Sequence, residues 1–413
     1  MTQSQALKIL LSGQNVFLTG SAGTGKTFLL NKFITKLKKQ KKNVAITAST
    51  GIAATHLGGR TVHSWSGMGI ERAMTDKMII KSLRRGDLRE KIRSTEILII
   101  DEISMIDSAR FNLIDRICKA VKDPFQPFGG IQIVVSGDFF QLPPVDPENL
   151  SEPVFDSYSW HDAGMRVCYL KQQFRQDDSE FVKILNKIRR NKAGQAELDL
   201  LKTRLYQPVD KFDKPTKLYT HNCDVDIVNN LELSAIEAEE FRYDMTGKGP
   251  EDLVNSLKKG CLAPEILKLK IDAMVMFIRN NFDSGYVNGT LGRVIDFDEK
   301  GFPLIKLPND KVVVATPTIW VIENNDEIIA HINQLPLRLA WAITVHKSQG
   351  MSLDAAEIDL SKSFERGMGY VALSRVRTLS GIRLLGINNL SVRVDDRIIE
   401  KDKEFLKLSK SGK

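Results

Sequence analysis

Eight residues, Gly20-Ser21-Ala22-Gly23-Thr24-Gly25-Lys26-Thr27, constrain this chain more than any other stretch. They fill every fixed position of the pattern G-x-x-x-x-G-K-[ST]. The flanks supply the context the pattern needs. Val16-Phe17-Leu18 leads in as a short strand, and Phe28-Leu29-Leu30, Phe33, Ile34 and Leu37 lead out at helical spacing. Glycines let the backbone wrap closely around phosphate groups, and amides at the start of the helix point at them. Gly20, Ala22, Gly23, Thr24 and Gly25 form that cradle. Lys26 is expected to reach the β- and γ-phosphates, and Thr27 to hold Mg²⁺ through its hydroxyl. Such a chain binds and splits a nucleoside triphosphate, and the rest of the sequence must say what the hydrolysis drives.

At 413 residues the chain is too long for one compact core, and two or three domains are expected. Hydrophobic residues make up 42% and charged residues 27%, so a folded globular chain is expected. The net charge of +8 is compatible with a polyanionic partner without requiring one. Cys118, Cys168, Cys223 and Cys261 lie far apart with no C-x-x-C pair, which argues against a zinc motif or a disulfide framework.

In chain order, residues 3–11 read as an amphipathic helix. The helix after the loop ends in a run of lysines that suits its dipole. Residues 43–48 form a strand and run into the small-residue segment Ser49-Thr50-Gly51-Ile52-Ala53-Ala54. Residues 58–93 lack clear regularity and read as an insertion. Ile97-Leu98-Ile99-Ile100 is wholly apolar, as in the centre of a parallel sheet, and ends in Asp101-Glu102. A helix over 108–121 and a strand over 131–135 follow. This alternation over residues 1–170 predicts a doubly wound α/β domain. A second α/β region begins near Phe174-Arg175, and from Lys270 short β segments with turns suggest a small barrel-like module. After Pro336 the α/β pattern resumes, with residues 341–347 helical and a tail that frays beyond Leu408.

Asp101 and Glu102 fall at the C-terminal end of an apolar strand, where α/β sheets place their ligand sites. Asp101 is the expected Mg²⁺ ligand, and Glu102 the base that deprotonates the attacking water. Gln141 ends the next strand-loop, where an amide can position water or sense the γ-phosphate. Arg175 and Arg375 are the candidates for positive charge on that phosphate, although spacing alone does not separate them from ordinary surface arginines.

Six stretches then stand in the order of a superfamily-1 helicase. They are the phosphate loop, Ser49 to Ala54, Ile100-Asp101-Glu102, Gly137-Asp138-Phe139-Phe140-Gln141-Leu142-Pro143, Thr344-Val345-His346-Lys347-Ser348-Gln349-Gly350 and Tyr370-Val371-Ala372-Leu373-Ser374-Arg375. The chain most closely resembles the PIF (petite integration frequency) family of DNA helicases, related to RecD-like enzymes, over roughly residues 3–386. The resemblance implies an α/β chain with two RecA-like doubly wound domains, at 1–57 with 95–170 and at 171–269 with 335–413. It implies a small wedge-bearing insertion at 58–94 and an SH3-like β module at 270–334. It makes Gln3 the adenine-recognising residue, with Gln5 as a rival, and makes Arg175 and Arg375 a finger pair. Gly350 would join the nucleotide site.

A single DNA strand would run past Thr50, Gly51, His63, Ser64, Thr344, His346 and Lys347, where hydroxyls contact phosphates and basic groups neutralise them. Phe139, Phe140 and Trp341 are read as core residues in preference to base-stacking ones. The implied activity is ATP- and Mg²⁺-dependent movement on single-stranded DNA, 5′ to 3′ by resemblance, with unwinding of junctions. G-quadruplexes or RNA–DNA hybrids are further substrates, and repair, recombination and telomere maintenance further contexts. A translocase that does not separate strands is the alternative. The start lacks the pattern of a secretion signal, and no apolar run approaches membrane-spanning length. A monomer in a bacterial-type cytoplasm, near the nucleoid, is the setting expected.

Overall fold

The computed structural model describes all residues except 51–52, 55–56, 70, 85, 145–150, 177, 210–214, 220–221, 280, 282, 287–289, 308–309, 325–326, 346–347, 350–352, 354 and 412–413. Two compact units divide the chain: Met1–Asp210 with Ser352–Lys413, and Lys211–Met351. Residues 171–210 and 352–413 fall in the first unit.

The first unit is built on a six-stranded sheet, β1 (Val16–Thr19), β2 (Val44–Ala48), β3 (Arg60–Thr61), β4 (Ile97–Asp101), β5 (Gln132–Gly137) and β6 (Arg166–Tyr169). The spatial order is β3-β2-β4-β5-β1-β6, and every pairing is parallel. β1 and β4 are buried along their whole length, as the unbroken apolar runs predict. Alternation along β1 splits the core in two. Val16 and Leu18 pack with Leu29, Leu30, Phe33 and Leu37 of the helix Lys26–Lys39 and with Ala6, Leu7 and Leu10 of the helix Gln3–Leu10. Phe17 faces an aromatic cluster of Phe139, Trp160 and Phe405, with centroids 5.4, 5.0 and 4.9 Å away. Phe155 packs edge-on to Phe139 at 4.9 Å.

Two expectations need correction in this unit, and one holds. Residues 58–94 are regular: Arg60–Thr61 joins the central sheet beside β2, and helices follow at Val62–Ser66, Asp76–Ser82 and Gly86–Ser94. These helices are too short to show periodicity, but Thr61 and Thr75 cap two of them by accepting from Ser64 N and Met78 N. The tail does not fray at Leu408, because the C-terminal helix Asp396–Ser411 continues and Ser409 Oγ accepts from Tyr169 N at 3.1 Å. Phe139 and Phe140 do pack inward, as read from the sequence.

In the second unit, the β module is a five-stranded antiparallel sheet. Its order is Val312–Val314, Pro303–Lys306, Leu291–Phe297, Met274–Phe277 and Leu337–Leu339. The last strand lies beyond Pro336, where the sequence suggested that α/β structure had resumed. Residues 341–347 were expected to be helical. Instead Ala342–Thr344 is a strand paired in parallel with Thr216–Tyr219. The reason is burial on all sides: the three residues are buried, and Asn229 brackets Ala342 through Nδ2 to its carbonyl (3.1 Å) and Oδ1 from its amide (3.0 Å). Trp341 is core, packed with Val275, Phe277 and Leu337.

Phe405 is 3% exposed and holds the C-terminal helix against the aromatic cluster. Phe405→Ala is expected to lower the unfolding free energy by about 3–5 kcal/mol, read as a shift of the urea midpoint.

Candidate active site

β4, β5 and β1 are neighbours in the sheet, and their C-terminal ends carry three of the segments singled out from the sequence. The phosphate loop follows β1, Asp101-Glu102 closes β4, and Asp138 to Gln141 follows β5. Parallel pairing therefore brings together residues separated by more than a hundred positions, at the edge where α/β sheets hold ligands.

The loop needs its glycines. Gly20, Gly23 and Gly25 have φ of 147°, 84° and 77°, a region that side chains resist. A Cβ on Gly23 would stand 2.7 Å from Arg175 Cβ and 2.9 Å from Gln173 Oε1. Gly25 caps the 14-residue helix Lys26–Lys39 with no side-chain acceptor, and its first turn carries no acidic residue. Its leading amides and dipole are thus available to an anion. Lys26 Nζ donates to Gly20 O at 2.8 Å and Ser21 O at 3.3 Å. Burial lowers the proton affinity of its ammonium, against the pull of Asp138 and Glu102. Gln3 Nε2 lies 3.4 Å from Thr24 O and 3.5 Å from Gly25 O, against the loop. Gln5 is occupied elsewhere: it forms a capping box with Thr2, so geometry favours Gln3 of the two.

Asp101 is 5% exposed, and burial followed by its neighbour Glu102 raises its carboxyl above the usual range. The Glu102 amide donates to Asp101 Oδ1 at 3.0 Å. Glu102 itself sits in the left-handed region, φ 51° and ψ 48°, at the turn after β4. Gln141 is 5% exposed, and its Oε1 has no hydrogen-bond partner among the described residues. A buried orphan acceptor of this kind suits the positioning of a water.

Arg175 and Arg375 lie in the same compact unit as the loop. Phe174 N donates to Gly23 O at 2.9 Å, which sets Arg175 beside the loop. Arg175 Nη1 donates to Ser374 O at 3.2 Å. Arg375 is 1% exposed, with Nε on Val371 O at 3.0 Å and Nη2 on Ser374 Oγ at 2.9 Å. Burial, and then Arg175, lower the proton affinity of the Arg375 guanidinium, while Glu102 opposes them. Burial also lowers that of Arg175. Two desolvated cations facing one carboxylate make a place where a polyanion is stabilised. These features fit a nucleotide and its cation: uncapped amides, a lysine over the loop that feels both Asp101 and Glu102, and Thr27, partly buried at the helix start.

The expected DNA contacts are more scattered. Thr50 Oγ1 accepts from Ala53 N at 3.2 Å, capping the turn that follows. His63 and Ser64 lie on the helix Val62–Ser66, with Ser64 exposed. Burial and then Arg110 lower the proton affinity of the His63 imidazole, against the pull of Asp107. Thr344, in the second unit, is 3% exposed. Gly51, His346, Lys347 and Gly350 lie outside the described residues. The sequence reading passed over Tyr370 and Asp138, although both lie in quoted motifs, and over Arg189 and Asp402, which carry no motif signal. Tyr370 and Asp138 touch the site: Ala22 N donates to Tyr370 OH at 3.1 Å, and Tyr370 OH donates to Asp138 Oδ2 at 3.3 Å.

The family profile described as PIF1-like helicase matches residues 4–197, and that of the DNA helicase Pif1 2B domain matches residues 252–297. An ATP-dependent DNA helicase Pif1 from Psychrobacter sp. is 42% identical over 99% of this chain and 71% of that protein. The chain spans 62–63% of curated vertebrate relatives that it matches. Among solved structures, the Pif1 helicase from Candida albicans is similar at a TM-score of 0.89 and 37% identity, covering 97% of this chain and 98% of that one. A Bacteroides Pif1 helicase, solved with ADP-AlF3 and single-stranded DNA, is similar at a TM-score of 0.74 and 30% identity, covering 98% of each chain. With three of its motifs on one sheet edge and its similarity running nearly end to end, the chain belongs to the PIF1-like helicase family.

Proposed function

We propose that this chain is an ATP-dependent DNA helicase that moves on single-stranded DNA and opens the duplex at single-strand/double-strand junctions. The observation that carries the reading is the gathering of Lys26, Asp101, Glu102, Arg175 and Arg375 around one phosphate loop, in a chain whose family members are named as DNA helicases. The free amides of the loop 20–27 and Lys26 hold the phosphates, and Gln3 borders the loop where the base would lie. Glu102 takes the proton of the attacking water as its oxygen bonds to the γ-phosphorus, and the β–γ bridge oxygen leaves with ADP. Gln141 orients that water through its buried Oε1. Arg175 and Arg375 offset the negative charge that develops on the transferring group. Thr27 and Asp101 would hold Mg²⁺, which supplies further positive charge to the phosphates when bound.

Thr50, Gly51, His63, Ser64, Thr344, His346 and Lys347 form the proposed track for the DNA backbone, and residues 58–94 the proposed wedge. Nucleotide binding and release alternate the grip on this track, giving net movement in the 5′-to-3′ direction. G-quadruplexes and RNA–DNA hybrids are further substrates under this reading, and the chain acts as a monomer beside cellular DNA. No helix among the described residues is long and apolar enough to cross a membrane.

Lys26→Ala is expected to abolish ATP hydrolysis while leaving single-stranded DNA affinity within about threefold, measured by fluorescence anisotropy. Glu102→Gln should bind ATP without turning it over, and retained turnover would remove Glu102 from the role of base. Arg375→Ala should spare ATP binding and slow kcat by about 10³ or more. Strand displacement should occur on a duplex with a 5′ single-stranded tail and not on its 3′-tailed counterpart. ATP turnover stimulated by DNA, with neither duplex opened, would instead leave a translocase. DNA affinity should fall steeply between 50 and 200 mM salt if phosphate contacts dominate, and a flat profile would sink the proposed track.

A further inference from the structure

Tyr370 lies on the helix Met368–Ser374, directly before Arg375, and is 2% exposed. A phenol has one proton to give and lone pairs to receive. Its proton goes to Asp138 Oδ2 at 3.3 Å, and its oxygen accepts the amide of Ala22, inside the phosphate loop, at 3.1 Å. Asp138 is itself fixed. Its Oδ1 accepts from Arg189 Nη2 at 3.1 Å and from Phe140 N at 3.3 Å. Arg189 Nη2 also reaches Asp402 Oδ1 at 3.2 Å, and Asp402 accepts the Tyr169 hydroxyl at 2.9 Å. Asp138 has only acceptors to offer and meets donors on both oxygens, which sets the phenol as the donor toward it. The Tyr370 hydroxyl has no freedom to turn away from the loop.

The other end of the same helix is tied as well. Ser374 O accepts from Arg175 Nη1 at 3.2 Å and from Gln176 Nε2 at 3.0 Å. Arg175 in turn follows Phe174, whose amide is bonded to Gly23 O. The helix is thus pinned to the phosphate loop at two points, through Tyr370 to Ala22 and through the 174–176 segment to Gly23. Arg375 folds back along it, with Nε on Val371 O. Where the helix goes, the guanidinium goes.

We propose that Tyr370 is a positioning residue for ATP hydrolysis: held by Asp138, its hydroxyl docks the Arg375 helix on the Ala22 amide and thereby fixes Arg375 relative to the phosphate loop. Tyr370 touches neither substrate nor the reacting atoms in this role; it acts through Arg375. The inference rests on the reading of this site as an ATPase, and the wild-type rate in the same assay reports on that reading separately.

The test is a double-mutant cycle on DNA-stimulated ATP turnover with Tyr370→Phe and Arg375→Ala, made in the full chain. Tyr370→Phe is expected to lower kcat about tenfold while the KM for ATP changes less than twofold, because the loop amides and Lys26 remain. In the Arg375→Ala background, Tyr370→Phe should lower kcat by less than twofold, since the arginine it positions is gone. Binding of ADP with aluminium fluoride should weaken by about the same factor as kcat, while binding of ADP alone should not. A purely structural hydroxyl gives the opposite pattern: a tenfold loss repeated in the Arg375→Ala background, or equal losses in ADP and ADP–aluminium fluoride binding. Either result, or a Tyr370→Phe chain with wild-type kcat, overturns the proposal. Asp138→Asn, which keeps an acceptor for the phenol but drops the charge facing Arg189, gives a second line to the same reading. Its kcat should fall with the KM for ATP held within about twofold, and a wild-type kcat there also overturns the proposal.

Discussion

Asp138 is completely buried, and a carboxylate so placed must be met by charge and by donors or the fold does not close around it. It is met by Arg189, which is 6% exposed and stacked over the Phe140 ring at 4.4 Å. Burial works against that guanidinium, yet Asp138, Tyr169, Tyr370 and Asp402 together raise its proton affinity, so the guanidinium keeps its charge. Removing one partner of such a pair costs about 3–5 kcal/mol, far more than the pair adds over an apolar replacement. Its effect is to specify. It ties the end of β5 to the helix Ser179–Arg189 and, through Asp402, to the C-terminal helix. Three segments distant in sequence can assemble in one register around it.

That specification bears on the nucleotide site. The phosphate loop takes its shape from its glycines, from the Thr24 Oγ1 bond to Ser21 O at 2.8 Å and from what surrounds it. Arg175, Gln173 and Gln176 close on Gly23, Gln3 closes on Gly25, and the Leu170 carbonyl closes on Gly20. A larger residue at any of these positions meets something within 3 Å. The arginines are held by carbonyls of one short helix, and the acidic pair by a strained turn at Glu102. Flexibility in the loop is thus matched by firm placement of the groups around it, as preorganised charge stabilisation requires.

The sequence made much of this legible, and the physical reasons differ from part to part. The parallel sheet showed because its central strands are apolar throughout, and the phosphate loop because few other chemistries need G-x-x-x-x-G-K-T between a strand and a helix. Short elements escaped. The helices at Val62–Ser66 and Asp76–Ser82 bury too few side chains to leave a periodic trace, and Ala342–Thr344 is a three-residue strand whose surroundings, not its pattern, make it extended. Pairing partners distant in sequence also escaped. Nothing in the basic pair Arg189-Arg190 at a helix end distinguishes the arginine that meets Asp138 in the core from one dissolved in water. The capping box at Thr2 to Gln5, by contrast, was present in the residues and would have separated Gln5 from Gln3 at once.

The placement of Phe405 has a consequence for how the chain comes into being. Phe17 lies on the strand that leads into the phosphate loop, and one of its aromatic neighbours comes from a helix that begins only at Asp396. Arg375 and Tyr370, too, follow the loop by about 350 residues. A chain extended only through its first two hundred residues has the loop, the acidic pair, Gln141 and Arg175, but neither Phe405 against Phe17 nor Tyr370 and Arg375 beside the loop. Contacts of such long sequence separation form late and slowly. The arrangement beside the loop is therefore incomplete until the segments carrying Tyr370, Arg375 and Phe405 have packed.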